Sequence, residues 1–128
     1  MTNEVPLDPV EPTISDSILD STKKLIGLDK DYHDFDADLV TFINSAFFNL
    51  RQLGVGPAEG FNITDDKAVW SDFSSDDSIL TGVKPYIQQK VRLQFDPPSN
   101  SFVESSIREN IKEYEWRLNI QGEGGFND

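Results

Sequence analysis

The 128-residue chain contains no cysteine, one histidine (His33), and only 11 lysines and arginines against 23 aspartates and glutamates. Without cysteine, it can form no disulfide, no thiolate nucleophile and no cysteine-ligated zinc site. The net charge of −12 disfavours a nucleic-acid groove or docking on anionic membranes, because both need cationic surfaces. No apolar run approaches the ~20 residues of a membrane span, and the N-terminus lacks a secretion-signal pattern. We therefore expect a soluble, intracellular protein.

The length predicts one compact domain, residues 17–121, between two flexible ends. Residues 1–16 carry three prolines at an interval of three, which predicts an extended arm, because proline disfavours helix and biases its predecessor to extended geometry. A disordered tail is the alternative interpretation of this segment. The glycine-rich residues 122–128 predict a flexible C-terminal tail.

Hydrophobic spacing near 100° per residue predicts four helices, at about residues 17–27, 36–53, 78–95 and 101–120. Ser17, with Asp20 three residues later, is typical of a helix N-terminus, and Ser101 with Glu104 predicts a capping box for the fourth helix. Pro85 leaves two alternatives for the third helix. Either the helix begins late, so that the proline lies in its first turn, or a longer helix kinks there.

Alternating apolar and polar residues at 61–64 and 67–70 flank an Asp-Asp pair, which predicts a small β-hairpin between the second and third helices. The sequence therefore predicts an all-α fold: a small four-helix domain with a short inserted β-hairpin and flexible N- and C-terminal arms.

Some apolar residues lie away from the core-facing stripes of their helices. Phe102, Trp116 and Ile120 point roughly opposite to the apolar stripe of the fourth helix, and Phe48 points away from the core face of the second. A helix that is apolar on two faces is either buried on both or contacts a partner. These four residues therefore mark either a subunit interface or burial within one chain.

An acidic connector precedes the second helix, with carboxylates at Asp29, Asp31, Asp34, Asp36 and Asp38. It fails as an EF-hand loop, because Asp34 stands where glycine is needed and Val40 where glutamate is needed. Acids at a helix start are usually solvated, and a looser metal site that includes His33 is the alternative. No nucleophile elbow or phosphate-binding loop is present, so we predict no enzymatic activity and no cofactor.

Cations on the third and fourth helices alternate with glutamates. This pattern is typical of ordinary ion pairs on a helix surface, such as Glu113 with Arg117 at i,i+4.

Five strings of the sequence, at residues 18–27, 44–57, 70–73, 91–98 and 113–119, resemble the head–tail connector (head-completion adaptor) proteins of long-tailed phages. The resemblance covers about residues 18–121. It implies a mainly helical structural protein that forms a ring of about twelve subunits beneath the portal. Such a ring extends the DNA channel and docks the next neck or tail-completion protein, in a virion neck assembled in the host cytoplasm. The proline-containing arm and Pro85 depart from similar sequences.

The resemblance implies that the four apolar residues off the core-facing stripes pack side to side between subunits of the ring. It also implies that the five carboxylates of the acidic connector line a channel wall that repels DNA. The predicted hairpin and the tail are candidates for portal or neck contacts, through Phe61, Trp70 and Phe126. Two other functions stay open: a monomeric acidic protein that mimics the charge of DNA, and a small metal-dependent enzyme that uses His33.

Overall fold

The computed structural model describes residues 16–122, which form five α-helices and no β-strand. The helices are α1 (Ile18–Leu25), α2 (Asp36–Gln52), α3 (Trp70–Phe73), α4 (Asp77–Phe95) and α5 (Ser101–Gly122). The all-α prediction is confirmed, and the short α3 is additional. The predicted N-terminal arm and most of the predicted tail lie outside the described residues. No helix between residues 16 and 122 has the length and apolar character needed to cross a bilayer.

The predicted β-hairpin is wrong. Instead of pairing with a second strand, Ile63 is held by the side chain of Asn44 on α2, which accepts from its amide (2.8 Å) and donates to its carbonyl (2.9 Å). Trp70 begins α3, and an isolated bridge joins Ser17 to Val69. Side chains and the start of α1 thus satisfy backbone groups that a hairpin would have paired.

The α4 helix lies at the centre of the fold and packs against both α2 and α5. Its apolar face, which includes the fully buried Val83, Tyr86 and Ile87, forms the middle of the core. Helix α4 runs from Asp77 through Pro85, so the late start is wrong and the proline stands inside the helix. Tertiary packing therefore outweighs the loss of one helical hydrogen bond.

Helix α5 is capped one residue earlier than the sequence predicted. The side chain of Asn100 accepts from the amide of Phe102 at 2.8 Å, so the predicted Ser101–Glu104 capping box is wrong. Glu104 instead binds Arg108, one turn along the helix, at 2.8 Å. The side-chain oxygen of an asparagine caps the free N–H groups of a first turn as effectively as that of a serine. Asn100 can therefore take the capping position that the sequence assigned to Ser101.

A fully buried lysine joins α1, the acidic connector and α2. The ammonium of Lys23 donates to the carbonyls of Lys30 (3.0 Å) and Tyr32 (2.6 Å) and to Oδ1 of Asp36 (2.8 Å). Three protons therefore meet three acceptors, which compensates the cost of burying the charge.

At the other end of α1, Ser17 accepts from the backbone amide three residues on, as predicted.

Asp36 is the carboxylate partner in this arrangement, and it also contacts the single histidine. Its Oδ2 lies 2.7 Å from Nδ1 of His33, so both carboxylate oxygens are engaged. Burial by itself would raise the pKa of Asp36, but hydrogen bonds from Lys23 and His33 outweigh burial and lower the pKa below its usual 3.8. Asp36 is therefore a structural acid rather than a freely solvated one.

We predict that Asp36→Asn lowers the free energy of unfolding by about 2 kcal/mol, because the buried ammonium of Lys23 loses its charged partner. Urea denaturation of the full chain measures this. Asp38→Asn is the matched control, since Asp38 is an exposed acid in the same first turn, and its change should be small. Equal effects of the two substitutions would contradict the structural role of Asp36.

The difference in stability between wild type and Asp36→Asn should also depend on pH. A carboxyl with a lowered folded-state pKa contributes stability above its unfolded pKa, and this contribution is lost as the pH falls through the folded value. The difference should therefore be full above about pH 5 and shrink as the pH drops below 3.8. Urea titrations at several pH values test this, and a difference that grows on acidification would refute it.

Candidate interaction surfaces

The helix α5 is held firmly at one end only. Of its 22 residues only Ile111 and Leu118 are buried, and none before Ile111 is. Its C-terminal end is fixed to the end of α2, because Asn119 donates to the carbonyl of Leu53 at 3.3 Å. Gly122 lies so close to the same turn that a Cβ there would stand 2.6 Å from that carbonyl oxygen. The N-terminal half of α5 therefore has far less support than its C-terminal half.

Four apolar residues were predicted to lie away from the core-facing stripes of their helices, and three of them are exposed. The exposed fraction is 79% for Phe102, 62% for Trp116 and 57% for Phe48, whereas Ile120 is half-buried. Phe102 and Trp116 lie fourteen positions apart, which is about 21 Å along one side of α5. Residues 16–122 of one chain therefore leave these three side chains unburied.

Of the predicted portal contacts, Trp70 is buried in the core and Phe61 is half-buried against it. Trp70 is 5% exposed, its indole N–H donates to Oγ of Ser21 at 3.0 Å, and the ammonium of Lys84 lies 5.6 Å from its ring centroid. The ring of Phe61 packs edge-on against Phe47, with centroids 4.9 Å apart. Both side chains therefore pack with the core, and Phe61 alone of the two keeps part of its surface accessible.

The third predicted portal contact, Phe126, lies outside the described residues.

The acidic connector stays largely on the surface. Its exposed carboxylates belong to Asp29, Asp31, Asp34 and Asp38. The Asp29 carboxylate accepts from the amide of Asp31 at 2.8 Å, which shapes the turn. Within residues 16–122, no group of three or more histidine, aspartate and glutamate side chains could hold a metal ion. The ammonium of Lys23 occupies the oxygen-lined position at the centre of the connector.

A cleft of about 670 Å³ opens beside the poorly supported half of α5. We call it the α4–α5 cleft, and its charged lining consists of Lys90, Arg108 and Lys112 together with Glu109 and Glu115. Sequence reasoning missed this site, because these residues come from two helices and each helix by itself shows only ordinary surface pairing. Their common position depends on how α4 and α5 pack.

The cleft also contacts a partly buried polar pair. The hydroxyl of Tyr86 donates to Oε2 of Glu115 at 2.8 Å, and Glu115 lines the cleft. Burial first, and then the neighbouring carboxylate, raise the pKa of Tyr86 well above its usual value. The phenol therefore stays protonated, and it holds Glu115 in place as a hydrogen-bond donor.

A family model described as "Phage connector protein" matches residues 18–125, which include all five helices. The chain belongs to the phage connector protein family. A search of the curated proteins and a search of solved structures each found no match. Family membership confirms the resemblance seen in the sequence. It gives this connector a structural role and an association with the virion.

The two tryptophans of this connector should respond very differently to truncation. We predict that Trp70→Ala lowers the free energy of unfolding by about 3 kcal/mol or more, because it empties a core position. Trp116→Ala should change it by less than about 0.5 kcal/mol, because its side chain packs little in the monomer. Urea unfolding at low protein concentration measures both, and a large loss for Trp116→Ala would contradict its exposure.

Proposed function

We propose that this connector is the head–tail adaptor of a tailed phage and assembles as a ring of about twelve copies beneath the portal. The ring extends the DNA channel and docks the next neck or tail-completion protein. It belongs to the virion neck and assembles in the host cytoplasm. The observation that carries the proposal is the exposed aromatic face of α5, formed by Phe102 and Trp116 on a helix with only two buried residues.

The exposed aromatic area suits a protein interface. Phe48, Phe102 and Trp116 together expose about 400 Å² of side chain, given their exposed fractions and the usual size of such residues. A stable interface buries about 1,600 Å² over its two partners together, so these three residues, counted over the two contacting faces, supply about a quarter of one. Aromatic side chains of this kind commonly provide most of the binding energy at an interface.

The positions of the aromatics also favour a closed ring. A cyclic assembly of more than two copies uses two different surfaces of each subunit, one for each neighbour. Phe48 lies on α2 and the other two aromatics lie on α5, and both helices pack on α4. One subunit therefore presents exposed aromatics on two separate helices.

The exposed acids suit the wall of a channel through which DNA passes. Cationic walls would bind phosphates, whereas carboxylates repel DNA weakly over a screening length of ~8 Å. We propose that the wall includes some of Asp29, Asp31, Asp34 and Asp38. Asp36 is omitted, because it binds Lys23.

Contacts with the portal or neck are proposed for the C-terminal tail, including Phe126. The burial of Trp70 and the core packing of Phe61 support the tail over the segment at residues 61–70.

The alternative of a monomeric acidic DNA mimic is less well supported. A charge mimic needs rows of acids and few exposed aromatics, yet Phe48, Phe102 and Trp116 are all more than half exposed. These side chains favour the connector function.

We predict that the double substitution Phe102→Ser with Trp116→Ser abolishes ring assembly, because it removes the aromatic face of α5. Sedimentation velocity, with and without the purified portal of the same phage, measures the size of the 14.4 kDa chain and its assemblies. Wild type should assemble alone or on the portal, and the double variant should remain monomeric in both conditions.

Leu25→Ser is the matched control for this experiment, because Leu25 is 56% exposed but lies on α1. It should assemble like wild type. Normal assembly of the double variant, or a wild type that stays monomeric even with portal, would overturn the proposal.

We predict that reversing three connector acids, by Asp31→Lys, Asp34→Lys and Asp38→Lys, slows DNA ejection or packaging, because the channel wall would then bind phosphates. Phage production and the rate of DNA release in vitro measure this effect. The control reverses three exposed acids elsewhere, by Glu59→Lys, Asp66→Lys and Asp77→Lys, and should leave both rates near wild type. Unchanged infectivity of the connector variant would count against the channel role.

A further inference from the structure

The outer face of α2 carries no charge, although the chain as a whole has a net charge of −12. Residues 39–50 form the longest stretch of the sequence without a charged side chain. Thr41, Ser45 and Phe48 are the exposed residues of this stretch, and their spacing places them on one side of the helix, opposite its buried stripe. We call these three residues the neutral α2 face. Its composition is that of an interface centre, which is poor in charge and contains an aromatic side chain.

The aromatic face of α5 is electrically balanced. It lies opposite the two buried residues of that helix. Four charged residues lie on this exposed side, and they form two pairs: Glu109 is 3.8 Å from Lys112, and Glu113 binds Arg117 at 2.6 Å. The face therefore presents two aromatic rings beside carboxylates that already have cationic partners.

The other two acids of α5 are engaged as well. Glu104 binds Arg108 at 2.8 Å, and Glu115 accepts from the hydroxyl of Tyr86 at 2.8 Å. A partner surface with unpaired charges would compete for these groups or would leave a charge buried without a partner. An uncharged surface avoids both costs, and the neutral α2 face is such a surface.

The two faces lie on different flanks of the subunit. Both α2 and α5 pack on α4 and turn their buried stripes inward. On the α5 side the approach is close, since a Cβ on Gly82 of α4 would lie 3.1 Å from Leu118. The exposed faces opposite these stripes point outward from two helices, so one copy can contact one neighbour through α2 and another through α5.

The charge of the chain restricts how two copies can meet. Subunits with a net charge of −12 repel one another, and screening removes this repulsion only beyond about 8 Å at physiological salt. Close contact is therefore least costly between surfaces that have no net charge. The neutral α2 face and the aromatic face of α5 both meet this condition, and their contact removes three exposed aromatic side chains from water.

We infer that the aromatic face of α5 of one copy packs on the neutral α2 face of the next copy. The two aromatics of α5 then lie on Thr41, Ser45 and Phe48, and the small size of Thr41 and Ser45 leaves room for large rings beside Phe48. Such a contact is head-to-tail, because it joins two different surfaces. The inference rests on the proposed ring and specifies which two surfaces form its interface.

Crosslinking of two complementary variants tests the inference, because the chain contains no cysteine of its own. The first variant keeps only the neutral α2 face and carries Ser45→Cys with Phe102→Ser and Trp116→Ser. The second keeps only the aromatic face of α5 and carries Ser106→Cys with Phe48→Glu. Both cysteines replace exposed serines. Each variant alone and the equimolar mixture are treated with a short bismaleimide, with and without portal, and mass spectrometry identifies the crosslinked positions.

We expect a crosslink between positions 45 and 106 in the mixture. Its yield should be roughly tenfold or more above the yield of dimeric product from either variant alone, because each variant by itself lacks one of the two faces. A mixture without this product would contradict the inference. A comparable yield of product from the second variant alone would also contradict it, because α5 would then pair with α5.

The result is separable from the fate of the ring. Sedimentation of wild type with portal reports whether a ring forms, and the crosslink reports which surfaces touch. A wild type that forms a ring while the mixture gives no product removes this contact and keeps the ring. The crosslink together with a wild type that never closes into a ring supports this contact and removes the ring.

A single added charge provides the second measurement. Thr41→Glu in the first variant should lower the crosslink yield about fivefold or more, because it places an unpaired carboxylate in the contact. Thr81→Glu on α4 is the matched control and should retain the yield. Both threonines are exposed and donate to a carbonyl one turn earlier, at 3.1 Å for Thr41 and 2.8 Å for Thr81. Circular dichroism verifies that each variant is folded, and equal yields from the two variants would refute the contact.

Discussion

The junction between the first two long elements of the fold depends on the buried ammonium of Lys23. It joins α1, the acidic connector and the start of α2 through two carbonyls and the carboxylate of Asp36. An unpaired charge at this depth would be very costly, so the three acceptors and the lysine require one another. The acidic connector that precedes α2 is therefore held in one conformation, while its other carboxylates stay exposed to solvent. The shape of this segment depends on one lysine, and the surface of the segment stays negatively charged.

The second constraint is the one-sided attachment of α5. Asn119 and Gly122 fix its end against the last turn of α2, while its N-terminal half has no buried residue before Ile111 and leaves Phe102 exposed. A free monomer gains little from such a helix, because apolar surface left in water contributes nothing to folding. In the proposed ring, this helix offers its apolar face to a neighbouring copy. The α4–α5 cleft lies beside the same helix.

Sequence patterning predicted the long elements well and the local pairing poorly. The four main helices follow from their apolar periodicity, and the exposure of Phe102 and Trp116 agrees with their position opposite the core stripe. The hairpin prediction failed because alternation at residues 61–70 does not reveal that Asn44 binds the backbone of Ile63. Lys23 was missed for a similar reason: its partners, seven to thirteen positions later, lie after the end of α1, where helical periodicity no longer places residues on one face.

The sequence by itself determined the helical fold class, the strongly acidic surface and the connector family, because periodicity, composition and signature strings are properties of the chain alone. Only the tertiary structure decided which aromatics are buried, which acid is structural and where the cations meet. Trp70 and Trp116 are chemically identical, and only their packing distinguishes a core residue from an interface candidate. Burial and charge pairing depend on contacts between distant segments, and those contacts exist only once the helices have packed.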